Sequence, residues 1–247
     1  MESYLYLKND FKRAFKTREI LTLMNQKLQK IKALVEKELS CSAHNMEHTM
    51  RVYNLCLELA EDEPVDLDVL KPAALLHDIA RVKEDTNASG TIDHAVLGAE
   101  MAETILRDLE YSEKKIQHIT HCITTHRFRG TLTPHTKEAK ILYDADKLDV
   151  LGAVGVARCF MVAGRYNERM YSDTPLDEYI KENLVNQTSQ GRIKDISKHA
   201  PNIELETKFK HIPGSLYTGK AREIARKRLT FMIEFFEQLH REINGKL

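Results

Sequence analysis

Along most of this chain the apolar residues recur with the 3.6-residue period of helix rather than the alternation of strand. Over 13–40 they fall at Leu21, Met24, Leu28, Ile31 and Leu34, and over 45–60 at Val52, Leu55, Cys56 and Leu59. Pro64 and Asp66 break and recap the chain, after which Leu70, Ala73, Ala74 and His77 share one face. A loop is expected over 84–93, then helices over about 94–109 and 112–127, the second with Ser112 as its N-cap, and another loop over 131–136. Residues 137–163 read as one helix; its small-residue stretch GAVGVA at 152–157 lowers helix propensity and so predicts close contact with a neighbouring helix. From 164 to 217 the pattern weakens. Thr174-Pro175-Leu176-Asp177 has the order N-cap, first-position proline and first-turn acid, so a short helix should follow, while 186–216 is polar and irregular. A strong helix is predicted at 219–243, with Ile224, Leu229, Met232, Ile233, Phe236 and Leu239 inward. Strand signals are nearly absent and nothing repeats. The expectation is one all-α domain over 1–247, with a core over about 24–163, a looser insertion at 164–217 that could serve as a cap or lid, and a closing helix at 218–243.

Composition narrows the function classes. The 247 residues carry 37 basic and 37 acidic side chains, which argues against nucleic-acid binding driven by bulk charge. With no apolar run of membrane-spanning length, no transmembrane segment is expected, and MESYLYLKNDFKR lacks the apolar centre of a signal peptide. The four cysteines, Cys41, Cys56, Cys122 and Cys159, show no CxxC pairing; Cys56 and Cys122 sit in helical patterns as small apolar fillers, and a reduced, cytoplasmic protein is expected. Apolar helix faces at 13–40 and 219–243 are compatible with a homo-oligomer. Histidine is the informative residue, with 11 in all, most of them between His44 and His135.

Helix phase sorts the polar residues of those stripes. His48 lies four residues before Val52, His77 continues the face of Leu70, Ala73 and Ala74, and Asp146 lies four residues after Leu142. These side chains should point into a helical core, whereas Asp144, about 200° from Asp146 around the helix, should not. Asp78 ends the apolar run AALLHDIA, and a buried carboxylate needs a cation or several donors. Two imidazoles and two carboxylates, His48, His77, Asp78 and Asp146, therefore form a four-ligand set for one divalent metal, with Asp149 as second choice for the late acid. His94 and His126 also fall on inward faces and are second-tier candidates, although a single inward histidine is ordinarily a hydrogen-bonded core residue; His118 and His121 should lie nearer the surface. A competing motif is HNMEH at 44–48, which matches the inverted zinc-peptidase pattern with Glu47 as base but leaves His77, Asp78 and Asp146 without a role.

The segments HNMEHTMRV, ALLHDIA, ITTHRF and DADKLDVLGAVGVAR, in that order, resemble the HD superfamily of metal-dependent phosphohydrolases, most closely its small stand-alone bacterial and archaeal members. The closing segment YTGKAREIARKRLTFMIEFF is similar to that subgroup as well. The resemblance implies an all-α bundle of about five core helices and a metal held by His48, His77, Asp78 and Asp146, in agreement with the phase argument. It implies hydrolysis of a small phosphorylated substrate, a nucleotide among the options, by metal-activated water, with Asp78 and His77 as catalytic residues. Manganese, magnesium, cobalt, nickel, iron and zinc all suit such donors. Some members hold two metals through extra histidines, which makes His94 and His126 candidates for a second metal or for substrate. Arg51, Arg81 and Lys147 are candidates for gripping phosphate oxygens. A metal-stabilised regulatory module without turnover is the alternative from a different class.

Overall fold

A computed structural model of the protein describes residues 22–39, 46–87, 89, 91–127, 132–189 and 191–246. Among them every regular element is helical, apart from an isolated antiparallel bridge between Leu184 and Ile193. In chain order the α-helices are α1 (22–38), α2 (Met46–Ala60), α3 (Leu67–Leu76), α4 (Arg81–Asp85), α5 (His94–Asp108), α6 (Glu113–Thr125), α7 (Lys137–Leu148), α8 (Gly152–Tyr166), α9 (Leu176–Asn183), α10 (Pro201–Thr207), α11 (Ile212–Ser215) and α12 (Gly219–Ile243). None is long and apolar enough to cross a membrane. The helices fall into two units. One comprises the described residues up to Thr49 with Asp66–Thr124, the other Met50–Val65 with the described residues from Thr125 onward.

In the first unit, α1 buries Ile31, Val35 and Leu39, while Leu34, expected inward, is exposed because the stripe advances by four residues here rather than three. The α3 helix is capped by Asp66, whose carboxylate accepts from the Asp68 backbone N–H at 2.9 Å, and every residue from Val69 to Leu76 except Lys71 is buried. Such all-round burial marks α3 as a central helix. The chain leaves it at His77 through a tight turn, with the Ile79 N–H donating to Leu76 O and the Arg81 N–H to Asp78 O. The next residues form α4, so the loop expected from residue 84 begins later, after Asp85. Asp93 then caps α5 by accepting from the Ala95 N–H at 2.9 Å. Cys56, in the second unit, and Cys122, in the first, are buried fillers as expected.

In the second unit the expected single helix over 137–163 is two. Gly152 adopts φ +76°, a left-handed conformation that favours glycine, and separates α7 from α8. Gly155 is required for a different reason: a Cβ there would lie 2.2 Å from the Val150 carbonyl oxygen. The closing helix α12 matches its predicted limits, but its deepest seam is Ala221, Ala225, Met232 and Phe236, with Ile224, Leu229, Ile233 and Leu239 half-buried beside it. Asp144 corrects the phase argument. It is fully buried and accepts hydrogen bonds from the Tyr217 N–H (2.8 Å), the Thr218 N–H (2.7 Å) and the Thr218 hydroxyl (2.8 Å), which anchor the start of α12. Because α7 is packed on nearly all sides, a residue about 200° around it from the expected inward position can also be buried. Burial pushes the Asp144 carboxyl above its ordinary value, against the pull of its Tyr217 and Thr218 donors.

The segment 164–217 is more ordered than its polar sequence implies. It contains α9, α10 and α11, and α9 begins after Pro175 rather than on a Thr174 cap. Tyr179, Leu184, Ala200 and Ile203 make a small core with Ile180 and Ile193 against it. Over that core the Tyr179 hydroxyl and His199 Nδ1 share a 2.7 Å hydrogen bond, His199 Nε2 lies 3.2 Å from Glu204 Oε2, and Lys208 Nζ donates to Glu204 Oε1 at 2.8 Å. Burial alone would push the Glu204 carboxyl up, but Lys208 and His199 together outweigh it and hold the group well below its ordinary 4.5. For Glu168, burial comes first and Glu204 adds to it, so that carboxyl is raised despite His199. A depressed carboxyl contributes stability above its ordinary pKa and loses it as the pH falls below; a raised one destabilises when ionised. Glu204→Gln should therefore lower Tm by about 2–4 °C at pH 7, with the difference shrinking at pH 4, and Glu168→Gln should raise Tm at pH 7. Thermal melts at the two pH values check both signs.

Candidate metal centre

The start of α2 and the exit of α3 set the principal cluster of the first unit. His48 lies in the first turn of α2, and His77 and Asp78 lie in the turn that ends α3; all three are buried. His48 Nε2 stands 3.3 Å from His77 Nε2 and 3.5 Å from Asp78 Oδ2, and His77 Nε2 stands 3.8 Å from the same oxygen. The two rings meet edge-on, with centroids 5.3 Å apart. His77 Nδ1 lies 2.8 Å from the Ala74 carbonyl oxygen, which can only accept; Nδ1 therefore carries the proton, and in the neutral ring Nε2 turns its lone pair toward the cluster.

These spacings test whether a divalent cation fits. Charge-assisted N–H···O bonds run at about 2.7–2.9 Å, so 3.5 and 3.8 Å are long for direct pairing of Asp78 with the imidazoles. Donors about 2.0–2.2 Å from one four-coordinate ion are about 3.3–3.6 Å from each other, a range that holds two of the three separations, with the His77–Asp78 distance of 3.8 Å slightly longer. Two imidazole nitrogens and a carboxylate oxygen, one ring fixed from behind by a backbone carbonyl, suit a first-row divalent metal. His48, His77 and Asp78 thus fit such an ion.

Asp78 has a further neighbour. His94, the first residue of α5 and also buried, places Nε2 3.4 Å from Asp78 Oδ1 and Nδ1 2.8 Å from Glu84 Oε2. Arg81 NH1 reaches the same Glu84 oxygen at 2.8 Å, and its Nε lies 3.4 Å from Asp85. The donor atoms of Glu84, Asp93 and His94 also come together, but the Arg81 guanidinium on Glu84 already supplies positive charge there, so that group is an ion-pair network rather than a second cation cage. Glu84 escaped the sequence analysis because it falls in a stretch read as loop; its spacing of three from Arg81 was the available signal.

The remaining candidates belong to the second unit. Asp146 on α7 is partly exposed, and Lys147 Nζ donates to its Oδ2 at 2.5 Å while lying 5.2 Å from the centre of the Tyr143 ring. Asp149 is buried and accepts Arg51 Nε at 2.7 Å, Arg51 NH2 at 3.1 Å and Arg158 NH1 at 2.5 Å. Its partners are guanidiniums, and Arg51 keeps about a third of its side chain in solvent (33%). His126 is buried just beyond α6. His118 and His121, expected nearer the surface, are half-buried. His44 of the HNMEH motif and Cys41 lie outside the described residues.

Comparison with known proteins identifies the family. The HD domain family matches residues 45–151, a span that includes His48, His77, Asp78 and Asp146. Bacillus subtilis YpgQ is 31% identical over 215 residues, covering 83% of this chain and 86% of that protein. The structure of B. subtilis YpgQ in complex with ADP aligns with TM-score 0.66 and 26% identity over 90% of this chain and 98% of that one. A predicted HD superfamily hydrolase from an uncultured Thermotogales bacterium aligns with TM-score 0.58 and 28% identity over 87% of this chain and 92% of that one. An all-helical fold, a buried His–His–Asp cluster at the HD dipeptide and a relative matched over most of both chains lead to one conclusion: this chain belongs to the HD superfamily.

Proposed function

We propose that the protein is a metal-dependent hydrolase of phosphate esters, phosphomonoesters or phosphodiesters, and that its substrate is a nucleotide. The observation that carries the reading is the convergence of His48 Nε2, His77 Nε2 and Asp78 Oδ2 within 3.3–3.8 Å, with all three residues buried. Those residues would hold a divalent cation, with Asp146 completing the set as the resemblance implies. Manganese, magnesium, cobalt, nickel, iron and zinc are all compatible with the donors. When bound, such an ion lowers the pKa of a coordinated water toward about 7 and withdraws charge from a phosphoryl oxygen.

The chain's own residues supply the rest. The His77 imidazole, steadied through Nδ1 by Ala74, keeps Nε2 aimed into the cluster. Asp78, with one oxygen toward His48 and His77 and the other toward His94, orients the attacking water or takes its proton. Arg51, Arg81 and Lys147 grip the remaining phosphate oxygens, and His94 and His126 serve a second metal or the substrate. The ADP bound by YpgQ supports a nucleotide over a sugar phosphate.

The test is metal analysis of the purified protein followed by a phosphate-release panel of nucleotides and sugar phosphates with Mn²⁺, Mg²⁺, Co²⁺ and Ni²⁺. Metal-dependent turnover, highest on nucleotides, is the expected result. Stoichiometric metal with no turnover of any phosphate ester would overturn the reading in favour of a regulatory module.

A further inference from the structure

We propose that Glu84 is a positioning residue of the metal centre, setting the tautomer of His94 and neutralising Arg81 so that Asp78 keeps its charge for the cation. This rests on the reading of His48, His77 and Asp78 as a divalent-metal site.

Glu84 sits on α4, six residues after Asp78, and grips His94 at two points. Its Oε2 lies 2.8 Å from His94 Nδ1, and its Oε1 accepts the His94 backbone N–H at 3.4 Å. An ionised carboxylate only accepts, so Nδ1 carries the proton. In a neutral imidazole the other nitrogen, Nε2, then presents its lone pair, and Nε2 is the atom 3.4 Å from Asp78 Oδ1. Asp78 consequently has an imidazole nitrogen beside each oxygen, His94 at Oδ1 and His48 and His77 at Oδ2. With the tautomer reversed, an Nε2–H would donate to Oδ1 and draw charge from the carboxylate the cation needs.

Arg81 brings a second reason for Glu84. Its NH1 and His94 Nδ1, both donors, are 3.2 Å apart, a contact that is tolerable because both point at the same Glu84 oxygen. Without that carboxylate the Arg81 guanidinium is free to donate to Nδ1, which drives the proton to Nε2, and its charge opposes a cation at the neighbouring cluster. Outer partners of this kind commonly set about 10–100-fold in metal affinity.

The experiment compares wild type, His77→Ala, Glu84→Ala and Glu84→Gln by Mn²⁺ titration calorimetry, by melting of the metal-free proteins, and by long-range ¹H–¹⁵N correlation of the histidine rings in the metal-free state. The Glu84 variants are expected to bind Mn²⁺ about 10–100-fold more weakly, with metal-free melting temperatures close to wild type. His94 should carry its proton on Nδ1 in the wild type, shift toward Nε2 in Glu84→Ala, and stay on Nδ1 in Glu84→Gln, whose amide oxygen still accepts. If Glu84→Ala does not fold, the isosteric Glu84→Gln carries the affinity test. Mn²⁺ affinity unchanged in the folded Glu84 variants, or a wild-type His94 protonated on Nε2, would overturn the proposal. Failure of the wild type to bind Mn²⁺ would remove the centre itself and the proposal with it, a result distinct from wild-type binding that His77→Ala abolishes and Glu84→Gln leaves intact.

Discussion

Replacing His77 with alanine is expected to abolish stoichiometric binding of a divalent metal and to lower phosphate-ester hydrolysis by at least about a thousandfold, about 4 kcal/mol of transition-state stabilisation. The reason is local. His77 supplies one of three donor atoms packed within 3.3–3.8 Å, and its ring is already held in the donor orientation by the Ala74 carbonyl. Loss of the imidazole removes a ligand and opens a gap beside His48 and Asp78. In the metal-free protein His77→Ala should cost only the packing of a fully buried ring, without the further loss of a bound ion. The contrast should appear in melting curves. A ligand at a hundred times its Kd stabilises a fold by about 2.7 kcal/mol, which in a chain of this length is about 5–10 °C, and that metal-induced rise should vanish in His77→Ala. Asp78→Ala should behave alike. Full metal content and full activity in either variant would end the assignment.

The second large effect is on stability. Asp149→Ala should cost about 3 kcal/mol, a fall in Tm of about 6–12 °C. The Asp149 carboxylate accepts from Arg51 and Arg158, and its charge also acts on Arg228, whose NH1 donates to the Leu148 carbonyl oxygen at 2.6 Å. Burial lowers the Arg228 pKa and the charge of Asp149 opposes that shift. Without Asp149, the guanidiniums of Arg51, Arg158 and Arg228 lose the carboxylate they share at the end of α7. Arg51→Ala should cost much less, about 1 kcal/mol, because Arg51 is partly in solvent and Asp149 keeps Arg158. Chemical denaturation of the metal-free variants measures both; a loss under about 1 kcal/mol for Asp149→Ala would show that the guanidiniums solvate themselves.

The parts of the site that could be read from the chain were those tied to helical periodicity. His48 and His77 share stripes with Val52 and with Leu70, Ala73 and Ala74, and a residue on an apolar stripe faces the core wherever that core lies. The same rule failed at Asp144, because it presumes one buried face, and α7 is buried on nearly all of its surface. It failed again at Leu34, where neighbouring positions compete for one stripe. The Glu84–His94 pair had no periodic signature, since ten residues of turn and loop separate its members and only the return of the chain brings Oε2 within 2.8 Å of Nδ1.

By itself, then, the sequence determined the all-helical class, the limits of α12 and the inward facing of the HD dipeptide and His48, because these follow from short-range periodicity and from the cost of burying a charge without a partner. Tertiary structure alone decided the break at Gly152, the order within 164–217, the use of Asp144 to anchor α12, the two guanidiniums on Asp149 and the carboxylate behind His94. Each of those depends on a distance between residues far apart in the chain, and no local pattern of hydrophobic and polar positions encodes such a distance.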